Sequence, residues 1–461
     1  MAHIKILKGL NIPIKGKPTG NIKLLIPNGN TFLEGMQIAL DLKPFEDIKF
    51  KLLVTVGDSV KIGQPVAEDK SSEGRYFVSP AGGIVREIKR GLKRRLEGIV
   101  IDVEEYEKFY EFNKIDIKTA TRDEIIDCLK IGGIFTQIKK RPFGILANPK
   151  ESPRAIFVKA IESAPFVPPA EFQVEGHEHE FQLGLDALTK LTSGLVNLVY
   201  SKETTCTAFL NAKHVEKHTA EGPHPIGTHS LHIQKIDPVK SIEDVIWTLS
   251  VHDVVMIGHL LSTGHYFTDR IISIAGEGII DEKKGYYKVR AGIAVSLIAK
   301  DRIVESDLRL ISGDPLQGLQ VQPQDFLGFS DFVFCAIPEN DNREFLHFFR
   351  LGKEKYSMSK AYLSGHLDND KREYDFTTSM HGEPRPFIVA SMYDKVQPLN
   401  ISTMLLVKAV MAEDFELAES LGLLEVDPED FALATFVCPS KMEMCDIIHH
   451  GLKQYAKEVL E

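Results

Sequence analysis

Residues 50–103 constrain the fold most. FKLLVTV (50–56), RYFVSP (75–80), GIVREIK (83–89) and GIVIDV (98–103) are short, β-branched runs, each cut off by Gly, Pro, Asp or Ser. A helical period cannot be carried across those breaks, so the segment reads as short strands joined by tight turns. Gly57, Gly63 and Gly82-Gly83 stand where such turns call for positive φ.

The pattern changes downstream. DIKTATRDEIIDCLKIGG (116–133) predicts a helix with Thr121 as N-cap, Glu124 at capping-box spacing and Gly132-Gly133 at its end. AIFVKAI (155–161), LVNLVYS (195–201) and TAFLNA (207–212) read as strands, and EFQLGLDALTKLTSG (180–194) as a helix. Alternation of this kind implies an α/β, Rossmann-like layer with a mainly parallel sheet. The Pro-rich ESAPFVPPAEF (162–172) reads as a surface crossing within it. RIISIAGEGI (270–279), YYKVRAG (286–292), DLRLISG (307–313) and FVFCAI (332–337) return to short strands, and 401–461 carries helical spacing. The expected organisation is therefore an α/β multidomain chain: a β unit over 1–115, an α/β unit over 116–255, a second β-rich unit over 256–370 and a mainly helical region over 371–461.

Several functions are excluded. Asp and Glu outnumber Lys and Arg, for a net charge of −10, which does not suit a nucleic-acid backbone. The five cysteines, 128, 206, 335, 438 and 445, include no C-x-x-C pair. A disulfide framework, a zinc ribbon and iron–sulfur ligation are not expected, and a reducing compartment is. The best apolar stretch, ISTMLLVKAVMA (401–412), is short and holds Lys408, so no span is expected, and the N-terminus lacks a signal-peptide pattern. G-x-G-x-x-G, the P-loop, H-E-x-x-H, G-x-S-x-G and the EF-hand loop are missing; the nearest string, Gly276-Glu277-Gly278, falls in a β stretch.

Three features could carry chemistry. His214, His218, His224, His229 and His232 crowd into 19 residues. On a helix His214 and His218 would share a face and could bind a divalent metal, but a third ligand at familiar spacing is lacking, and a polar loop around Gly222-Pro223-His224-Pro225 is the simpler reading. Arg86, Lys89, Arg90, Lys93, Arg94 and Arg95 form a basic patch, either a docking surface for acidic groups or a solvated hairpin face. The turn–strand order from VGDSVKIGQPVAEDK through FVSPAGGIVREIKRG resembles the barrel-sandwich hybrid of biotinyl and lipoyl domains, with Lys70 near the attachment position but without the flanking methionines.

Longer blocks point further. GLNIPIKG (9–16), AEDKSSEGRYFVSPAGGIVREIKRGLKRRLEGIVIDV (67–103), KKRPFG (139–144), GLDALTKLTSG (184–194), EGPHPIGTH (221–229), VIWTLSVHDVVMIGHLLSTGHYFTDRIISIAG (245–276), LRLISGDPLQG (308–318), FLGFSDF (326–332), YLSGHL (362–367) and 393–441 follow one another in order. Together they resemble the NqrA family of the sodium-translocating NADH:quinone oxidoreductases, distantly related to RnfC and to the flavin-binding subunit of complex I. The resemblance implies a β-grasp domain over about 265–340, beginning near Arg270. It implies a peripheral subunit on the cytoplasmic side of the bacterial inner membrane, in a pump that oxidises NADH, reduces ubiquinone and exports sodium. Its partners would be the other five subunits, chiefly the membrane subunit NqrB, and those would carry the NADH site, FAD, FMN and iron centres. No covalently bound cofactor is implied for this chain, and ubiquinone is its expected ligand. Ile131-Gly132-Gly133-Ile134 runs on into Phe135-Thr136-Gln137 rather than a glycine-rich nest, in keeping with a lost flavin loop. Ser440, Met442 and Met444 depart from the glycine and aromatic residues usual after the Cys-Pro pair of the family. His224, Thr228 and His229 are the expected quinone contacts, since a quinone needs an apolar slot and hydrogen-bonding groups. The alternative is a scaffold without a ligand of its own.

Overall fold

The β-branched runs of the first hundred residues pair as two antiparallel sheets. One has the order Gln37–Asp41, Leu96–Val103, Gly83–Arg90, Ser59–Val60; the other is Phe50–Leu52, Pro65–Asp69, Tyr76–Val78. Ile38, Leu40, Val60, Val66, Phe77, Val85, Ile99 and Ile101 close a common core. The computed structural model describes residues 1–26, 33–340, 345–346, 349–367 and 372–460.

Two strands from the start of the chain leave this unit. His3–Lys5 runs parallel to Glu216–Glu221 at the edge of the α/β sheet, and Ile22–Leu24 runs parallel to Gly285–Arg290 at the edge of a third sheet.

The α/β sheet has seven strands in the order His3–Lys5, Glu216–Glu221, Leu195–Ser201, Ala155–Ala160, Ile246–Ser250, Lys139–Arg141, Ile145–Leu146. The first five pair in parallel, and Lys139–Arg141 pairs antiparallel with both Ile246–Ser250 and Ile145–Leu146. Thr121 caps the Arg122–Ile131 helix in the expected reciprocal box with Glu124. The Glu178–Leu191 and Val251–Thr263 helices pack so closely that their glycines meet the opposite backbone. A Cβ on Gly258 would lie 1.8 Å from the Glu180 carbonyl oxygen, and one on Gly184 would lie 2.1 Å from that of Val254.

TAFLNA, expected as a strand, is a helical turn over Thr207–Leu210. The preceding strand Leu195–Ser201 is already paired on both edges, so the sheet has no place for another strand there. His214 and His218 do not share a helix face. His214 sits in a turn at φ 62°, and His218 lies within the Glu216–Glu221 strand. The Pro-rich crossing is partly internal, with Phe166 in the core. Gly276 stands beyond the end of the Asp269–Ala275 strand at φ 100°, where a Cβ would strike the Ala336 carbonyl oxygen.

The third sheet has six strands in the order Leu319–Val321, Leu308–Ser312, Val333–Pro338, Asp269–Ala275, Gly285–Arg290, Ile22–Leu24. Its central pair, Val333–Pro338 with Asp269–Ala275, is parallel. The C-terminal region is helical over Thr403–Met411, Phe415–Ser420, Ala432–Val437 and Met444–Leu460. Leu406, Val410, Phe431, Ile448 and Leu452 share one core with Ile4, Ile6, Ile12 and Ile14 from the start of the chain. Among the described residues no helix is long and apolar enough to cross a membrane.

Candidate functional site at the switch point of the parallel sheet

The chain leaves the central Ala155–Ala160 strand towards Leu195–Ser201 on one side and later returns to Ile246–Ser250 on the other. Connections after the two neighbouring strands therefore diverge, and a crevice opens at their carboxyl ends. Open α/β sheets bind ligands at such a switch point.

Three segments line it. Ile161-Glu162-Ser163 follows the central strand, and Gly222 to His229 follows Glu216–Glu221. Ser250 begins the Val251–Thr263 helix in a capping box with Asp253, whose carboxylate accepts the Ser250 backbone N–H at 2.7 Å. Lys159, near the end of the central strand, pairs with Glu162 at 2.9 Å. Burial opposes the Lys159 charge, but the carboxylates of Glu162, Glu429 and Asp253 outweigh it and raise the ammonium pKa.

The loop after Glu221 fits by close backbone contact. Gly222 is at φ 144°, with room for no side chain beside Ile6, and a Cβ on Gly227 would lie 2.9 Å from both the Ile161 carbonyl oxygen and Ser163 Oγ. His224, 3% exposed, shares a 2.9 Å hydrogen bond between Nδ1 and Ser163 Oγ. Its backbone N–H donates to Asn11 Oδ1 at 2.9 Å, and its carbonyl accepts the Leu10 N–H. Burial, with help from the Lys159 charge, lowers its pKa to about 4. His229 opens the His229–Ile236 helix, and its Nε2–H donates to the Leu249 carbonyl at 3.1 Å. That bond fixes the tautomer and leaves a lone pair on Nδ1. Burial first, then the Lys159 and His232 charges, hold its pKa well below the usual histidine value. Both rings are neutral at pH 7.

Thr228 is the unusual member. It occupies the N-cap of the same helix and is 2% exposed, yet its side chain makes no capping bond. Its Oγ1 is buried with no hydrogen-bond partner. Buried hydroxyls are normally paired.

His224, Thr228 and His229 are thus gathered at one end of the sheet, while His214 and His218 serve elsewhere. His214 Nδ1 bonds Asp186 at 2.9 Å, and His218 Nδ1 accepts the Ala2 N–H while its Nε2 bonds Asn197. Lys159, Glu162, Ser163 and Asp253 were missed in the sequence. The signals were present: a lysine inside an apolar strand, and S-x-x-D ahead of an apolar helix. A small, partly open pocket beside the crevice, lined by Glu162, Val167, Pro168, Gln173, Ser250 and His252 among others, is about 20 Å³, enough for about one water, and His224, Thr228 and His229 do not line it.

The turn after the central strand holds no glycine-rich nest of the kind that cradles a phosphate. The residues after the central strand contain no glycine, and Gly132 and Gly133 are used for packing: a Cβ would strike Leu260 from the first and Val78 from the second. Lys70 is exposed on a loop folded back by Asp69, which accepts the Ser71 N–H at 2.7 Å and pairs with buried Arg75. It is not the tip of a symmetric hairpin.

Comparison with known proteins completes the picture. Residues 4–104 match the NqrA N-terminal barrel-sandwich hybrid domain, and residues 120–266 match the NqrA second alpha/beta domain. The NqrA subunit of the Na(+)-translocating NADH-quinone reductase of Chlamydia caviae is 36% identical over 99% of this chain and 97% of its own length. The chain belongs to the NqrA family. Its homologues in Chlamydia trachomatis serovar L2 and Histophilus somni are 34% and 33% identical, each over 99% of this chain and 98% and 100% of their own lengths. Among solved structures, an NAD+-reducing [NiFe]-hydrogenase is similar with a TM-score of 0.38 and 11% identity, over 74% of this chain and 64% of that one. Family membership assigns the two N-terminal sheets to a barrel-sandwich hybrid and the chain to an NADH-quinone reductase complex that transports Na+.

Proposed function

We propose that this chain is a peripheral, redox-inactive subunit of its complex, on the cytoplasmic side of the membrane, and that the switch-point crevice supplies hydrogen-bonding groups to the quinone. The NADH site, flavins and iron centres would lie on the other subunits, with the membrane subunit NqrB as the main neighbour. In this reading the seven-stranded sheet is Rossmann-like and the six-stranded sheet a β-grasp unit, with the crevice beside their junction.

The unpartnered Thr228 hydroxyl carries the reading. A quinone carbonyl needs a donor, and Thr228 Oγ–H has one to give. His229 cannot donate through Nδ1 while Nε2–H is held by Leu249, so its lone pair suits a quinol O–H instead. A site with one donor and one acceptor fits both redox forms of the ligand. The neighbouring pocket, about 20 Å³ and not lined by Thr228 or His229, is far below the few hundred that small-molecule sites occupy, so the Pro-rich segment that holds Val167 and Pro168 must move aside for the ring to reach those side chains.

That small volume favours a second reading, a scaffold without a ligand. The two are separated by titrating the full chain, and then the assembled complex, with a short-tail ubiquinone. Saturable binding weakened by Thr228→Val supports the quinone site. Absence of binding in both, with loss of assembly on disrupting the chain, supports the scaffold.

A further inference from the structure

The basic patch noted in the sequence lies on the hairpin between Gly83–Arg90 and Leu96–Val103, far in sequence from the crevice. Some of its cations are used internally. Arg95 pairs with Glu46 at 2.9 Å and Glu97 at 3.1 Å, Arg86 stands 4.0 Å from Asp102, and the Lys89 ammonium sits 4.9 Å above the Phe326 ring. Arg90, Lys93 and Arg94 have no ion-pair partner among the described residues, and all three are exposed. Leu92 stands among them at the tip, 83% exposed.

The backbone at the tip is strained for these residues. Lys93 is at φ 54°, ψ 28°, and Arg94 is at φ 63°. Hairpin positions of this kind favour Gly, Asn or Asp, because a Cβ is unfavourable in the left-handed region. Two long cations in succession are a poor choice for stability alone. Between residues 86 and 95 the only acid is Glu87, in a chain whose net charge is −10.

The geometry points to a docking site for an anionic lipid surface: Arg90, Lys93 and Arg94 engage phosphate headgroups while Leu92 enters the interface. An exposed leucine ringed by cations matches the amphipathic boundary of a bilayer, apolar below and negatively charged above. This assignment is independent of the quinone reading.

The test uses the full chain and vesicles of phosphatidylcholine with and without phosphatidylglycerol, separated by sedimentation. Binding is expected only with phosphatidylglycerol, and it should fall with rising salt. Lys93→Gly with Arg94→Asn removes two cations and relieves both strained positions. Affinity should drop about twenty-five-fold, at about five-fold per cation, while thermal stability holds or rises. Leu92→Ser should weaken the binding that persists at high salt. Equal binding to both vesicle types, no binding at low salt, or unchanged affinity in the double variant would overturn the assignment. So would a Lys93→Glu, Arg94→Glu variant that binds vesicles normally but no longer assembles with the other subunits, which would make the partner an acidic protein surface.

Discussion

Thr228→Val tests the crevice in a way that separates chemistry from architecture. Removing a threonine from an N-cap ordinarily destabilises a protein by about 0.5–2 kcal/mol, because an orphan helix N–H loses its acceptor. Here the Thr228 side chain makes no cap bond, so that loss does not arise. Its Oγ1 instead lies buried without a partner, a state that costs about 1–3 kcal/mol. Valine keeps the shape and removes the hydroxyl. The variant should therefore be more stable by about 1 kcal/mol or slightly more, seen in urea as a higher midpoint at unchanged slope. Short-tail ubiquinone affinity should fall about ten-fold, equivalent to about 1.4 kcal/mol for one lost hydrogen bond. The opposite signs are the point: a structural hydroxyl would lose stability, and a functional one loses binding. A variant destabilised by about 1 kcal/mol would refute the reasoning.

Other outcomes follow from the same structure. Gly258→Ala places a methyl group 1.8 Å from the Glu180 carbonyl oxygen and should destabilise by about 3 kcal/mol or more in chemical denaturation. Arg75→Met leaves fully buried Asp69 without its guanidinium and strips a donor from the Ala147 carbonyl, at a cost of about 3–5 kcal/mol by the same assay. His224 and His232 are both lowered to about 4 by burial, so the unfolded chain binds their protons first. Their contribution is complete above pH 6.5 and fades as pH falls towards 4, by about 2 kcal/mol each at pH 5; His224→Gln should flatten that limb of the stability–pH curve. Asp430 behaves oppositely, since burial lifts its pKa to about 7. Its contribution is present below pH 3.8 and is lost as pH rises through 7, so Asp430→Asn should remove a decline of about 2–3 kcal/mol between pH 5 and 8.

Local signals in the sequence foretold local structure well. The Thr121–Glu124 box, the LVNLVYS strand and the turn glycines of the β unit form where side-chain chemistry and backbone preference act over a few residues. Failures came from tertiary competition. TAFLNA has strand-like composition, but both edges of the neighbouring strand were taken. The His214–His218 spacing suited a helix, yet strand pairing with Leu195–Ser201 claimed His218. His224, Thr228 and His229 were nameable as a polar loop. What could not be read was the crossover that brings Ser163 and Leu249 to their side chains, because it depends on strand order rather than on spacing. The close approach of Gly184 and Gly258 to facing backbones was hidden for the same reason.

The placement of the first strand has a consequence for synthesis. His3–Lys5 is made more than two hundred residues before its partner Glu216–Glu221, and the helices that share a core with Ile4 and Ile6 come later still. This early segment of the nascent chain must therefore wait, unpaired, until the later ones have been made. Compact folding of the barrel-sandwich unit can proceed in the interval, because its strands are local, while the α/β sheet closes only after its last strand, Ile246–Ser250, has emerged.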